Sequence, residues 1–328
     1  MSVRARPAAT EPVAEEPAGP AAPVTATRLP RSQRWRRDRL LIAFMLPGLL
    51  FYLIFQYGAL FGSGLAFLDY VPFLGLGGSQ WVGLQNFQRL FDDPDFWHAA
   101  LNTLEISLLQ LVLFFPAPLA LAMLLHSLVY TRVKRFVQSV VYLPHFISWV
   151  IVVALFQQML GATGVLNGWL SDAGLHTVHI LGNPDAFKPM VVAQVIWKDT
   201  GWGTIIFLAA LAQVDEQMYE AAALDGASAL RRFWHVTLPA IRPVIALLLV
   251  LRLGDILSVG FEQILLQRDA VGPGAAEIVD TFVYVRGIKS GDFGFAAAAG
   301  LFKGVIGVLL VYAANKVSHR MGEAGVYR

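Results

Sequence analysis

From Leu40 to Leu68 the chain carries no charged side chain. A bilayer core about 30 Å thick is crossed by about 20 apolar residues in helix, so this run is long enough to span one. It exceeds the roughly 7–15 residues of a signal-peptide core and begins too far from the N-terminus, which marks it as a retained helix. The first span is read as Leu40–Phe67, and two further uncharged runs, Ile106–Leu128 and Val137–Leu160, read as spans. Three more carry isolated charges, Pro189–Ala212, Pro243–Leu266 and Phe293–Asn315, and bring the predicted total to six. Only 15% of the residues are charged, where a soluble domain has about 25%. The absence of cysteine excludes a disulfide framework and any thiolate metal site.

Residues 1–30, rich in Ala, Pro, Thr and Glu, have too few large apolar groups to offset their ordering entropy, which predicts a disordered tail. Arg28, Arg31, Arg34, Arg36, Arg37 and Arg39 follow. A solvated run or a nucleic-acid arm is the alternative to a lipid-headgroup anchor, and the apolar stretch beginning at Leu40 favours the anchor. Basic residues then alternate between connections. The 69–100 loop has Arg89, the 129–136 turn has Arg132, Lys134 and Arg135, and the 161–188 loop has Lys188. Arg231, Arg232 and Arg242 follow in 213–242, and Lys316, Arg320 and Arg328 at the end. The positive-inside rule therefore puts both termini in the cytoplasm. The 267–292 loop, with Arg268, Arg286 and Lys289 on the outer side, is the exception. The expected fold is an all-α integral membrane protein of six transmembrane helices. A disordered basic tail covers 1–39, the helical domain 40–316, and a cytoplasmic C-terminal tail 317–328.

The most informative connection is QVDEQMYEAAALDGASALRRFWHVTLPAIRP, residues 213–243. Tyr219–Leu224 predicts a short helix, Gly226 a bend, and Ser228–His235 a second helix that Pro239 should stop. Taken alone, this is an amphipathic loop. Its spacing, with Glu220, Ala221 and Ala222, then Gly226, Val236, Leu238 and Pro239, resembles the EAA loop of ATP-binding-cassette importer permeases. The resemblance extends from about Leu40 to Asn315. YLPHFIS, WKDTGWGTIIFLAAL and FEQI look like the carbohydrate branch, and IVDTFVYVRGI like its oligosaccharide and polysaccharide permeases. It implies a multi-pass subunit of a bacterial cell membrane in which this loop is a coupling helix docked in a cleft of an ATPase. Glu220 offers a charge to a basic partner, the alanines allow close packing, and Arg231 and Arg232 flank the docking face. It also implies a second permease subunit, a cytoplasmic ATPase dimer and an extracytoplasmic solute-binding protein.

This chain itself has no phosphate loop of the G-x-x-x-x-G-K-[ST] type, so ATP and Mg are expected on the partner, with no cofactor and no catalysis here. No metal-binding spacing occurs, and His126, His145, His176 and His179 are scattered. Ionisable residues inside spans usually pair or line a polar path. The candidates are Trp197, Lys198, Asp199 and Trp202, with Arg252, Asp255 and Glu262; Lys303 is also in a span. Arg252 and Asp255, three apart, are placed to pair on one helix face. Trp197 and Trp202 beside Lys198 and Asp199, with Gly201 and Gly203 loosening the helix, suit a sugar's apolar faces and hydroxyl edges. The alternative is that the tryptophans anchor the interface while the charges snorkel. An amino-acid or peptide importer shares the EAA loop. A secondary transporter should show inverted repeats, which are not evident here, and a membrane enzyme should show converging acid–base or metal groups.

Overall fold

The structure, a computed structural model, describes residues 31–320. The predicted tail at 1–30, with Arg28, and residues 321–328, with Arg328, lie outside the described residues. The chain divides into two units, the first ending at Ala59 and the second beginning at Leu60.

In the first unit a helix runs Arg31–Tyr52 and passes into a π-helical turn at Leu53–Tyr57. It starts inside the arginine cluster, so the stretch 31–39 is helical where disorder was expected. Arginine is a good helix former, and neither glycine nor proline interrupts the sequence before Pro47. Phe44, Met45, Phe51 and Phe55 stand exposed, as side chains do on a helix whose solvent is lipid.

Among the described residues five helices are long and apolar enough to cross a membrane: Leu41–Phe67, Pro94–His126, Trp149–Asp172, Ala229–Gly254 and Phe293–Arg320. Pro184–Leu211 passes the same test together with Glu216–Leu224, from which it is bent by 74°, giving five to six candidate spans. Among the described residues the only strand pairing is a short antiparallel ribbon, Leu68 opposite Trp81 and Asp69 opposite Gln80.

Two expected spans differ from one continuous helix. The third is interrupted: one helix covers Thr131–Tyr142, a 3₁₀ turn covers Leu143–Phe146, and a new helix begins at Trp149. Pro144 weakens the helix by having no N–H to give; Leu143 before it stays helical, and the chain turns extended at Ile147 and Ser148. The fifth begins far earlier than Pro243, at Ala229, and ends at Gly254; Phe261–Val271 is a separate helix after an irregular segment. Pro239 does not stop a helix. It falls in the first turn of Leu238–Gly254, directly after a π-turn at Phe233–Thr237. Pro116 likewise follows a π-turn, at Gln110–Phe114. In both places the wider turn accommodates the carbonyl that a proline leaves without a donor.

Three apolar clusters hold the second unit together. One joins Ile106, Phe187, Val191, Val259, Ile264 and Ile278. Another joins Leu90, Phe96, Phe282 and Phe295, and the third Ala122, Phe207, Leu211 and Ile241. Lipid tails are as apolar as leucine, so close backbone packing and interhelical hydrogen bonds carry more of the association here than in water. At Gly201 a Cβ would sit 1.9 Å from the Val141 carbonyl oxygen, and at Gly203 one would meet Pro118 Cγ at 2.9 Å. These glycines bring helices together rather than loosening one. Between the Pro184–Leu211 and Phe261–Val271 helices, a buried amide cluster ties Gln194 to Gln263 (2.7 Å) and Gln267 (3.1 Å).

Of the basic residues that broke the charge pattern in 267–292, Arg268 and Arg286 are paired with carboxylates. Arg268 Nε donates to Glu277 Oε2 at 2.7 Å, and that bond holds the guanidinium above its ordinary pKa, so its charge is fixed. Arg286 reaches Asp93 and Asp95, each at 3.2 Å, and Lys289 lies 5.8 Å from the Tyr284 ring centre.

Candidate functional site

The site is built on the two interrupted helices. Where Leu143–Ser148 leaves the α-helical pattern, Pro144 O still accepts from Ile147 N at 3.1 Å and Ser148 O from Val152 N at 3.1 Å, but carbonyls between them lose their intrahelical partners, and a buried carbonyl left unpaired costs about 1–3 kcal/mol. Lys198, on the Pro184–Leu211 helix, supplies the replacement. Its Nζ donates to the carbonyls of Pro144 (3.3 Å), His145 (2.6 Å) and Ile147 (2.8 Å) and lies 5.5 Å from the Trp149 ring centre. An ammonium has three donors, and all three are used. Lys198 is buried, so it neither snorkels nor faces an open path; it caps the break.

That cap fixes what lies beside it. The His145 ring stacks on Trp202, centroids 4.5 Å apart and planes 5° from parallel, and Phe146 meets the same indole edge-on at 5.9 Å. His145 Nδ1 is 2.8 Å from Asp199 Oδ1. Asp199 and Trp202, three apart, share a helix face. Trp197 points elsewhere and packs edge-on against Phe156 at 5.9 Å. The structure therefore joins Asp199, Trp202 and Lys198, detaches Trp197, and adds His145. The signal for His145 was a proline inside an apparent span.

The second break, Asp255–Gly260, is capped from the opposite side. Ser107 Oγ donates to the Ile256 carbonyl and Gln110 Nε2 to that of Val259 at 3.2 Å. Gln110 Oε1 accepts from Arg252 Nη2 at 2.5 Å. The expected Arg252–Asp255 ion pair does not form: helix ends at Gly254, so the two no longer share a regular helical face. Glu262, exposed in the first turn of Phe261–Val271, belongs to a different helix from Arg252. Irregular backbone at membrane depth survives only where protein buries it or a polar cavity hydrates it.

The 213–242 connection forms a separate candidate surface. Glu216–Leu224 is a helix capped by Asp215 Oδ1, which accepts from Gln217 N at 2.9 Å. It ends where Gly226 adopts φ +74° and Ala227 N bonds back to Ala222 O at 2.9 Å. The next helix starts at Ala229, its Ser228 cap accepting from Arg231 N. Tyr219 Oη and Thr237 Oγ1, 3.0 Å apart, hold the first short helix to the π-turn. Glu220, Ala221 and Arg231 are exposed, as is Leu224 at 89%, while Ala222, Arg232 and Leu238 are half-buried and Pro239 is exposed. The tip thus presents an apolar side chain beside charged ones, uncovered in the isolated chain.

The model of the family "Binding-protein-dependent transport system inner membrane component" matches residues 114–323. The chain is 45% identical over 292 residues to the polygalacturonan/rhamnogalacturonan transport system permease protein YteP of Bacillus subtilis, covering 89% of this chain and 91% of that one. It is 45% identical over 293 residues to Protein LplB of the same organism, covering 89% and 92%. Among solved structures it is similar to a chain of a bacterial alginate ABC transporter in complex with an alginate pentasaccharide-bound periplasmic protein. The TM-score is 0.81 and the identity 38%, over 90% of this chain and 99% of that one.

Proposed function

Because this chain belongs to the family of binding-protein-dependent transport system inner membrane components, we propose that it is the membrane-spanning subunit of an ATP-binding-cassette importer and passes a sugar or oligosaccharide through the bilayer. In this reading it has six spans and both termini are cytoplasmic, with a tail at 1–39, the helical domain at 40–316 and a C-terminal tail at 317–328. It pairs with a second permease subunit in a bacterial cell membrane. An extracytoplasmic binding protein delivers the solute, and a cytoplasmic ATPase dimer binds ATP and Mg and hydrolyses the nucleotide. The saccharide transport of the relatives supports a saccharide here, and the binding-protein dependence of the family supports a binding protein.

The observation that carries the saccharide reading is the His145–Trp202 stack with Asp199 at its edge. A sugar ring has an apolar face and a rim of hydroxyls. An indole presents a flat apolar surface, and a carboxylate bound to imidazole presents acceptors and a donor at that surface's margin. Discontinuous helices with irregular backbone are a recurrent way to build solute sites at membrane depth. Lys198 and Gln110 take the positioning roles, and Arg252 and Asp255 flank the second break.

Movement is transmitted through the 213–242 loop. Glu220, Ala221, Ala222 and Gly226 form the docking tip, and Arg231, Arg232, Leu238 and Pro239 carry it into the Ala229–Gly254 helix. The absence of a helix stop at Pro239 matters here, since a continuous helix passes a displacement at the tip directly to Arg252. The test is ATP-dependent uptake of labelled oligosaccharide by proteoliposomes holding the full complex. Trp202→Ala and Asp199→Asn should lower uptake while the complex still assembles. Unchanged uptake in both would remove this surface from the path.

A further inference from the structure

Lys198, Lys303 and Arg252 lie within apolar helices, and their surroundings treat them differently. Lys198 gives its donors to three carbonyls. Lys303 holds Asp280 Oδ1 at 2.5 Å and Ser258 Oγ at 3.3 Å. Arg252 has no such compensation. One of its five donors goes to the neutral Gln110 amide, and the guanidinium lies 5.6 Å from the Phe114 ring centre. Among the described residues no carboxylate lies within ion-pair distance of it, although the charges of Asp255 and Asp199 are felt there.

A guanidinium at membrane depth without a counter-ion is costly, and such residues mark functional paths. This one is also held in place. Gln110 is itself fixed by its bond to the Val259 carbonyl, so Arg252 is anchored at one nitrogen while its remaining donors stay available. A planar fork with free donors matches a carboxylate bidentately, a geometry an ammonium does not reproduce.

We infer that Arg252 receives a carboxylate of the transported solute, so that the substrate class is an acidic oligosaccharide built of uronic acid units. This rests on the saccharide-import reading of the same site. The nearby acids orient the ligand: Asp199 and Asp255 repel a carboxylate but accept from hydroxyls, so the acid group registers at Arg252 and the hydroxyl rim faces Asp199. A neutral sugar would leave the guanidinium without a counter-ion.

The complete complex, with its ATPase and binding protein, is reconstituted in proteoliposomes and given three probes: tetragalacturonate, its fully methyl-esterified form, and maltotetraose. The wild type should take up tetragalacturonate. Arg252→Gln should reduce that uptake at least tenfold, Arg252→Lys should retain more than Arg252→Gln, and in both variants any methyl-ester uptake should fall several-fold less than tetragalacturonate uptake. The ratio of acidic to esterified uptake separates lost recognition from lost assembly, since misfolding lowers both. Equal losses for acidic and neutral probes, or none, overturn the inference. Uptake of maltotetraose but not tetragalacturonate by the wild type overturns it while leaving saccharide import intact. Uptake of no saccharide at all removes the import reading and this inference together.

Discussion

Lys198 Nζ lies 2.6 Å from the carbonyl oxygen of His145, so one helix of the candidate site holds the broken end of its neighbour. The contact makes the aromatic stack on Trp202 a consequence of a backbone cap. It also separates two roles that look alike in sequence. Lys198 positions, while its neighbour Asp199 remains at the surface of the site.

Replacing Lys198 with Met should therefore act first on stability. Up to three carbonyls lose a charged donor, at about 1–3 kcal/mol for each one left buried and unpaired. A lower melting temperature of the detergent-solubilised complex is expected, with partial recovery in Lys198→Arg. A melting temperature equal to wild type in Lys198→Met would mean that the break does not depend on this cap.

Trp202 should behave in the opposite way. The indole is about half exposed, so Trp202→Ala should leave folding nearly unchanged and reduce uptake about tenfold, the equivalent of about 1.4 kcal/mol of lost stacking. Trp202→Phe should keep most of the activity. Uptake measured beside complex yield distinguishes this from a packing defect.

Gly201 tests how tightly the helices meet. Its Cβ position lies 1.9 Å from the Val141 carbonyl oxygen, a backbone atom that cannot rotate away. Gly201→Val should push apart the Thr131–Tyr142 and Pro184–Leu211 helices and lower the yield of assembled complex. Gly304, with open space around its Cβ position, should accept alanine without loss. Comparable yields for the two variants would refute the close approach.

The membrane class was legible because uncharged length is a one-dimensional signal, and Leu41–Phe67 and Phe293–Arg320 nearly match their predicted spans. The interruptions were not. Hydropathy is blind to Pro144 within an apolar run, and to the fact that Ser107 and Gln110, far away in sequence, would cap Ile256 and Val259. The φ of Gly226 was foreseeable because a glycine after a helix favours a left-handed C-terminal cap. The course of the chain at Pro239 was not, because a proline just after a π-turn and a proline that ends a helix look alike in sequence. Among the candidate residues, the i,i+3 relation of Asp199 and Trp202 was readable from spacing. Their partner His145 required the fold.

Orientation follows from the charge pattern, and reporter fusions read it directly. Fusions at residues 130 and 225 should report the cytoplasm, and those at 80, 175 and 280 the outside. An external signal at 225 would separate the 213–242 loop from any ATPase.

The central claim is that this chain moves its solute because an ATPase docks on that loop, and Gly226 gives the sharpest access to it. With φ at +74°, a side chain there meets strain of about 1–2 kcal/mol although nothing lies within 4 Å of its Cβ position. Gly226→Asp thus distorts the turn without disturbing the membrane core, and Glu220→Ala removes the tip's charge. The measurement is ATP-driven uptake paired with pull-down of the ATPase from membranes carrying each variant. The account predicts normal insertion, abolished uptake, and an ATPase that is released or uncoupled. Full uptake with a normal pull-down in both variants would contradict it.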